Sequence, residues 1–331
     1  MEETQWTPGK LLGISGSYWQ ACTLHAGVKL DLFTVLGKAK VGAEEAAKKI
    51  GCDALALIKL LNALIAMGLV TKSGNEYSNT SGSYDYLSTV SPNYIGYIIK
   101  HHHHLVEGFS KLDTSVMTGK PVRGRASFTD EVKRESFLLG MFNQASNTAP
   151  NLVKDVPLSD KLTLLDLGGG PGTYAIYFCL QNPRLLASVY DLATTKPFAE
   201  STIKRFNLSD RINFIPGNYL DDPVEGKYDA AWLSHILHAE GFSGCMTIIN
   251  KAVAALNPGG LLLIHEFILN DTMDGPLFPA LFSLNMLIGT PDGQAYSESQ
   301  IKGMLKDAGL KDIKRLPYKG PNDAGIICGV K

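Results

Sequence analysis

The sequence predicts an α/β protein in which a parallel sheet covered by helices follows a mostly helical N-terminal domain. Three observations predict it. From residue 161 short apolar runs of strand length alternate with helical segments, the order that builds a parallel sheet buried on both faces. The first of these runs ends in a glycine-rich turn, GGGPG at 168–172. Before residue 90 the pattern is three helices and a hairpin instead.

The chain has 331 residues, which exceeds the roughly 100 to 200 residues typical of one domain and points to two. Its 31 Lys+Arg against 32 Asp+Glu leave a formal charge of −1, which argues against a partner built of phosphates or anionic lipid. Hydrophobic residues at 45% and charged residues at 19% exclude a disordered or fibrous chain. The N-terminal MEETQWTPGK lacks the basic start and apolar stretch of a secretory signal. Five scattered cysteines without C-x-x-C spacing indicate neither a disulfide framework nor a zinc centre. A soluble, reduced, cytoplasmic protein with no metal is expected.

Helical spacing runs from about Ser17 to Leu36, then over 42–50, where Glu44 and Glu45 open the helix and Lys48 and Lys49 close it as the helix dipole prefers. Asp53 caps a third helix carrying Leu57, Leu60, Leu61, Leu64 and Met67, stopped by Gly68. A hairpin turning at 72–75 completes the order of a winged helix. DNA binding does not follow from it. Residues 1–90 hold eight Lys, eight Asp+Glu and no Arg, and a recognition helix needs Arg, Asn or Gln at base edges and cations on phosphates. Burial against a second subunit accounts better for so apolar a helix. The expected division is a winged-helix-like dimerisation domain over 1–105, a helical connector over 106–150 that contributes to the pocket, and a catalytic domain over 151–331. Within the first, four adjacent histidines, His101 to His104, point in different directions on a helix, so at most two could share one ion.

Strand runs follow at 162–167, 186–191, 212–215, 228–234, 260–266 and 324–330, with helices near 173–180, 196–206 and 245–256. In such a sheet the ligand sits at the carboxyl ends of the strands, beside the first. A glycine turn there lets backbone approach a ligand, and Asp191, ending the next strand, can accept two hydrogen bonds from ribose hydroxyls. The dinucleotide pattern G-x-G-x-x-G fails at its third glycine, where Thr173 stands.

The loop D-x-G-G-G-P-G, Asp191, the 217–221 turn and the closing strand pair together resemble the S-adenosylmethionine-dependent methyltransferases, whose sheet is of the Rossmann-like class I type. With the apolar winged domain, Gly119-Lys-Pro121, LSHILH at 233–238, and YSESQ at 296–300 before a helix ending in AGL at 308–310, nearly the whole chain from about Ser17 is similar to the small-molecule O-methyltransferases of plant caffeic-acid and bacterial polyketide type.

The resemblance implies S-adenosyl-L-methionine as cofactor, a small-molecule acceptor, and a homodimer whose N-terminal domains interlock, with neither nucleic acid nor membrane as partner. It implies Gly168 and Gly170 at the methionyl part, Asp191 at the ribose, Asn218 and Tyr219 at the adenine, Ser234 beside the cofactor, and Arg134 on its carboxylate. For Arg134 a surface ion pair is the alternative. His238 falls at the family's general base and Glu266 at the carboxylate orienting it, and a histidine suits a base that works near neutral pH. Phe137, Met141 and Gln144 on one helix face, and Met286 and Thr290 on another, match faces that hold the acceptor ring, with core packing as the alternative. Two departures stand out. Ala239 and Glu240 replace the Asp and Trp that follow the base in well-known members, and the second glutamate flanking that histidine falls on Ala295. They leave open carbon or nitrogen methylation, or a reaction without methyl transfer. A winged-helix regulator is the reading from a different class.

Overall fold

The computed structural model describes residues 5–125 and 131–331. The chain divides into two compact units, Met1–His104 and Leu105–Lys331.

The first unit contains α1 (Pro8–Gly16), α2 (Tyr18–Lys29), α3 (Leu32–Leu36), β1 (Val41–Gly42), α4 (Ala43–Ile50), α5 (Ala54–Ala66), β2 (Val70–Ser73), β3 (Glu76–Asn79) and α6 (Ser81–Leu87), and ends within α7 (Gly96–Phe109). The cap on α5 is the expected one, since the Asp53 carboxylate accepts from the Ala56 amide. Leu57, Leu61 and Leu64 turn inward from α5 to join Val28, Leu32, Phe33, Leu36 and Tyr77 in one core. The hairpin turns at Gly74 and Asn75, and β1 adds a third strand to it in the order β1-β3-β2. Sequence reading began at Ser17 and did not see α1. No residue of that helix is buried, and Trp6, Leu11, Leu12, Ile14, Tyr18 and Trp19 are all exposed within this unit, so α1 has no inward stripe to betray it.

The second unit continues with α8 (Leu112–Thr118), α9 (Glu131–Leu152), β4 (Thr163–Leu167), α10 (Thr173–Gln181), β5 (Leu186–Asp191), α11 (Lys196–Arg205), β6 (Ile212–Pro216), β7 (Tyr228–Ser234), α12 (Phe242–Ala255), β8 (Leu256–Leu269), α13 (Leu277–Gly289), β9 (Tyr296–Ser297), α14 (Glu298–Asp307), β10 (Lys311–Arg315) and β11 (Ala324–Val330). The sheet order is β10-β11-β8-β7-β4-β5-β6, with β9 beside the end of β8. One expectation needs correcting. The sheet is parallel only from β8 to β6, because β11 runs antiparallel to both β8 and β10. The physical reason is the connection: too few residues separate β10 from β11 for a crossover helix, and only an antiparallel pair closes so short a link. Alternate residues feed two cores on the two faces, Leu164, Ala230, Trp232 and Leu263 on one, Leu165, Ala231, Leu233 and Leu262 on the other. Strand order reverses at β4, which opens a crevice at the carboxyl ends of β4 and β7. Among the described residues no helix is long and apolar enough to cross a membrane.

Candidate active site

The glycine turn leaves β4 at Gly168 and enters α10 at Gly172. Gly168 takes φ +70°, and a Cβ there would stand 2.6 Å from Ile236, so no side chain fits. Gly170 also has positive φ, but a Cβ on it would meet nothing within 4 Å, so the turn borders open space. Asp191 reaches across from the end of β5. Its Oδ2 accepts from the Gly170 amide at 2.8 Å and its Oδ1 from the Leu192 amide and the Thr195 hydroxyl. Burial raises its pKa against those hydrogen bonds. An open glycine cradle beside a carboxylate braced by backbone fits the ribose and methionyl parts of the cofactor that the sequence implies.

The other cofactor-side positions are more occupied. Asn218 lies in the turn after β6, its amide donating to Asp221 at 2.6 Å and its carbonyl accepting from the Leu220 amide. The Tyr219 hydroxyl approaches Glu240 Oε1 at 3.4 Å, and Ser234, ending β7, sits 2.9 Å from His265 Nδ1. Arg134 is part-buried in the first turn of α9.

His238 rises in the short turn Leu237–Ala239 that follows β7. Its Nδ1 is 2.8 Å from Oε2 of Glu266 on β8, whose other oxygen accepts from the Leu237 and His238 amides. Glu266 is only 2% exposed. Burial would raise its pKa, but the imidazoles of His238 and His235 outweigh that and hold the carboxyl well below the usual range. The acceptor is thus a carboxylate, so the proton between the two groups belongs to His238 Nδ1 and leaves Nε2 with a lone pair. Where the second family glutamate would stand, Ala295 is buried and its amide donates to Ser283. Aromatic rings bound the imidazole instead, with Phe282 edge-on at 4.7 Å and Phe267 parallel at 6.3 Å.

Phe137 and Met141 are part-buried on α9 and Gln144 is exposed. On α13 Met286 is buried, and the buried Thr290 that caps it spends its hydroxyl on the Met286 carbonyl and the Gly293 amide. Sequence reading named the latter two and missed Phe278 and Phe282. The signal was present, since 278, 282, 286 and 290 form one row at four-residue spacing.

The sequence shows the residues of three further features but not their partners, and it places His235 within the sheet or along the pocket rather than as a base. Glu240, in place of the family's Trp, is clasped by Arg125 at 2.6 and 3.1 Å, and Arg125 also donates to the Ala239 carbonyl at 2.7 Å. Tyr296 donates to the Glu240 carbonyl at 2.5 Å, so the turn bearing His238 is pinned from two elements. Asp166, the acid of the glycine motif, is 1% exposed and pushed up to about 7 by burial, with the Ala175 amide opposing and the Asp191 charge assisting. His235, three residues before His238, turns its Nδ1 to within 3.5 Å of the same Glu266 oxygen. Cysteine spacing pointed to no metal centre, yet His235, His238 and Glu266 bring three ligand atoms within 4.8 Å of one another.

Comparison with known proteins shows the family to which this fold belongs. Residues 111–311 match the O-methyltransferase domain and residues 12–89 the O-methyltransferase dimerisation domain. The chain belongs to the O-methyltransferase family. It is 31% identical to the 3-hydroxy-5-methyl-1-naphthoate 3-O-methyltransferase of Streptomyces sahachiroi, over 98% of this chain and 95% of that one. It is 27% identical to the tetracenomycin polyketide synthesis 8-O-methyl transferase TcmO of Streptomyces glaucescens, over 96% of both. The crystal structure of human N-acetylserotonin methyltransferase in complex with S-adenosylmethionine superposes with a TM-score of 0.86 over 100% of this chain and 99% of that one, at 24% identity, and shows the shared fold. This O-methyltransferase therefore carries both its family's catalytic domain and its family's dimerisation domain.

Proposed function

We propose that this O-methyltransferase methylates a hydroxyl on a flat, fused-ring aromatic acceptor of naphthoate or polyketide type, with His238 as general base and Glu266 as the group that orients it. The observation that carries this reading is the His238–Glu266 pair at the strand ends, its imidazole bounded by Phe267 and Phe282. Aromatic walls suit a planar acceptor. The names of the two Streptomyces relatives, one acting on a hydroxynaphthoate and one in polyketide synthesis, support the same class.

Bound S-adenosylmethionine supplies a methyl group already activated on a sulfonium. The chain has to place the hydroxyl and take its proton. Glu266 keeps the His238 proton on Nδ1, so the Nε2 lone pair faces the acceptor and accepts the hydroxyl proton, and the resulting imidazolium is balanced by the carboxylate 2.8 Å away. A phenol near pKa 10 (roughly,) needs such a base at neutral pH. In this reading the backbone at Gly168 and Gly170 lies along the methionyl part, and Arg134 meets its carboxylate. Asp191 accepts from the ribose, while Asn218 and Tyr219 flank the adenine and Ser234 sits beside the cofactor. Phe137, Met141, Gln144, Met286 and Thr290 belong to the acceptor's surroundings. Pairing of two chains through the N-terminal unit is supported by the exposed apolar residues of α1 and α2, and the even charge of residues 1–90 supports a protein rather than a nucleic-acid partner.

The test is a panel of monocyclic phenols, hydroxynaphthoates, polycyclic phenols and arylamines, each incubated with methyl-labelled cofactor and read by mass spectrometry. Label on a hydroxyl of the fused-ring compounds is expected. Label on the amines alone, or on no member of the panel, would overturn the reading.

A further inference from the structure

We infer that His235, His238 and Glu266 form a binding site for a divalent cation of the zinc type, and that a cation bound there switches the base off. Two imidazoles and one carboxylate are the donor set of many zinc sites. His235 Nδ1 and His238 Nδ1 lie 3.5 and 2.8 Å from Glu266 Oε2, and the three residues bring one ligand atom each within 4.8 Å of one another. Four-coordinate zinc with bonds of roughly 2.0–2.2 Å sets its donors about 3.3–3.6 Å apart, so the His235–Glu266 separation already fits, while His238 Nδ1 has to move back from the carboxylate to make room for the ion.

His235 is the observation that points beyond catalysis. Its Nδ1 is buried and stands 3.5 Å from the Glu266 carboxylate, at the edge of hydrogen-bond distance, with no closer partner among the described residues. The residue also adopts φ +55°, a left-handed conformation uncommon for a side-chain-bearing residue, with its amide tied to the His265 carbonyl at 2.9 Å. The backbone thus holds the ring where an unused nitrogen looks at Glu266. The second shell a metal needs is present as well, because Glu266 Oε1 is fixed by two backbone amides. With its side chain 25% exposed, His235 leaves solvent a path to a fourth coordination position.

The chemistry of the switch follows from the tautomer. Without metal, His238 carries its proton on Nδ1 and offers Nε2 to the acceptor. A cation binding at Nδ1 displaces the proton there and takes the Nδ1 electron pair, while the proton moves to Nε2 and occupies the lone pair that faced the acceptor. The ring stays neutral and no net proton is lost, but no lone pair remains to accept the acceptor's proton. His235 binds through Nδ1 with its own proton on Nε2. Cation binding rests on the geometry alone; the switching rests on the reading of His238 as base.

The experiment uses the metal-stripped full-length protein. Cobalt(II) serves as the spectroscopic probe and zinc as its competitor, in the wild type, in His235→Asn and in a variant with His102, His103 and His104 all changed to Ala. Asn tolerates the left-handed backbone but has no imidazole. The wild type and the triple variant should each take up one equivalent of cobalt, with the visible bands of a four-coordinate ion, and zinc should displace it. His235→Asn should bind roughly 100-fold more weakly or not at all. One equivalent of zinc should abolish methyl transfer in the wild type without raising the KM for the acceptor, and chelation should restore it. Equal binding by the wild type and His235→Asn, or loss of the bands in the triple variant, would overturn the site. Zinc held through His235 with methyl transfer undiminished would overturn the switch, and because cobalt binding needs no acceptor, failure of the site is distinguishable from failure of the proposed function.

Discussion

Asp166 and Glu266 stand on strands of one sheet, both almost completely buried, and they end in opposite charge states. Among the described residues Asp166 has one backbone donor, Ala175, no hydrogen bond to its other oxygen, and the Asp191 carboxylate for a neighbour. Burial therefore prevails and the acid holds its proton up to about pH 7. Glu266 has two backbone donors on one oxygen and two imidazoles facing the other, and it is held ionised. The difference teaches that depth in the sheet does not decide a carboxyl's charge; the donors arranged around it do. The cradle and the base site are chemically distinct because the chain spends its donors unevenly.

The comparison breaks most visibly at the group that Glu266 serves. His238→Ala should lower kcat by roughly 100- to 10,000-fold while calorimetry finds cofactor affinity little changed; an unchanged kcat would remove the base from the account. Glu266→Gln should slow turnover by roughly 100-fold and also lower stability, because the amide oxygen can still accept from the two backbone donors but its NH2 then faces the His238 Nδ1–H, donor against donor. A Glu266→Gln protein as stable as the wild type in urea would show that the carboxylate is not needed where it stands.

Glu240 is a third buried carboxylate and sharpens the lesson, since an arginine neutralises it. Arg125→Met should cost about 2 kcal/mol, less than the 3–5 kcal/mol of a fully buried pair because Arg125 is 26% exposed. The double change Arg125→Met with Glu240→Leu should recover part of the loss in thermal unfolding, and no recovery would mean that the bond to the Ala239 carbonyl is what matters.

The smallest effect lies at Asp166, where the sign reverses. Its folded pKa of about 7 lies above that of an unfolded aspartate, so the folded state binds the proton more tightly. The stability it contributes is full below about pH 4, falls as pH rises toward 7, and is then spent. Asp166→Asn should remove that slope and raise stability at pH 8 relative to the wild type, read as the urea midpoint at pH 5 and pH 8. A wild-type midpoint that falls over that interval no further than the variant's would refute the contrast.

Part of this was legible in the residues. The strand-turn-helix at 163–181 and Asp191 could be named because strand ends and glycine turns have local signatures, whereas His238 and Glu266 were named through the family resemblance. Arg125 and Glu240 could not, since no local pattern relates residues that far apart in sequence. Phe282 was readable from its row on α13 and was passed over for Met286 and Thr290. The antiparallel β11 was missed because a buried apolar run reads the same in either direction.

By itself the sequence determined the fold class and the place of the glycine turn at the end of the first sheet strand, because periodicity, glycine spacing and capping act within a few residues. Only the tertiary structure decided which carboxyl is charged, which rings border His238, and that His235 shares an oxygen of Glu266 with it. Those outcomes depend on donors and burial supplied by distant segments, and desolvation and hydrogen bonding are properties of the packed site rather than of any stretch of chain.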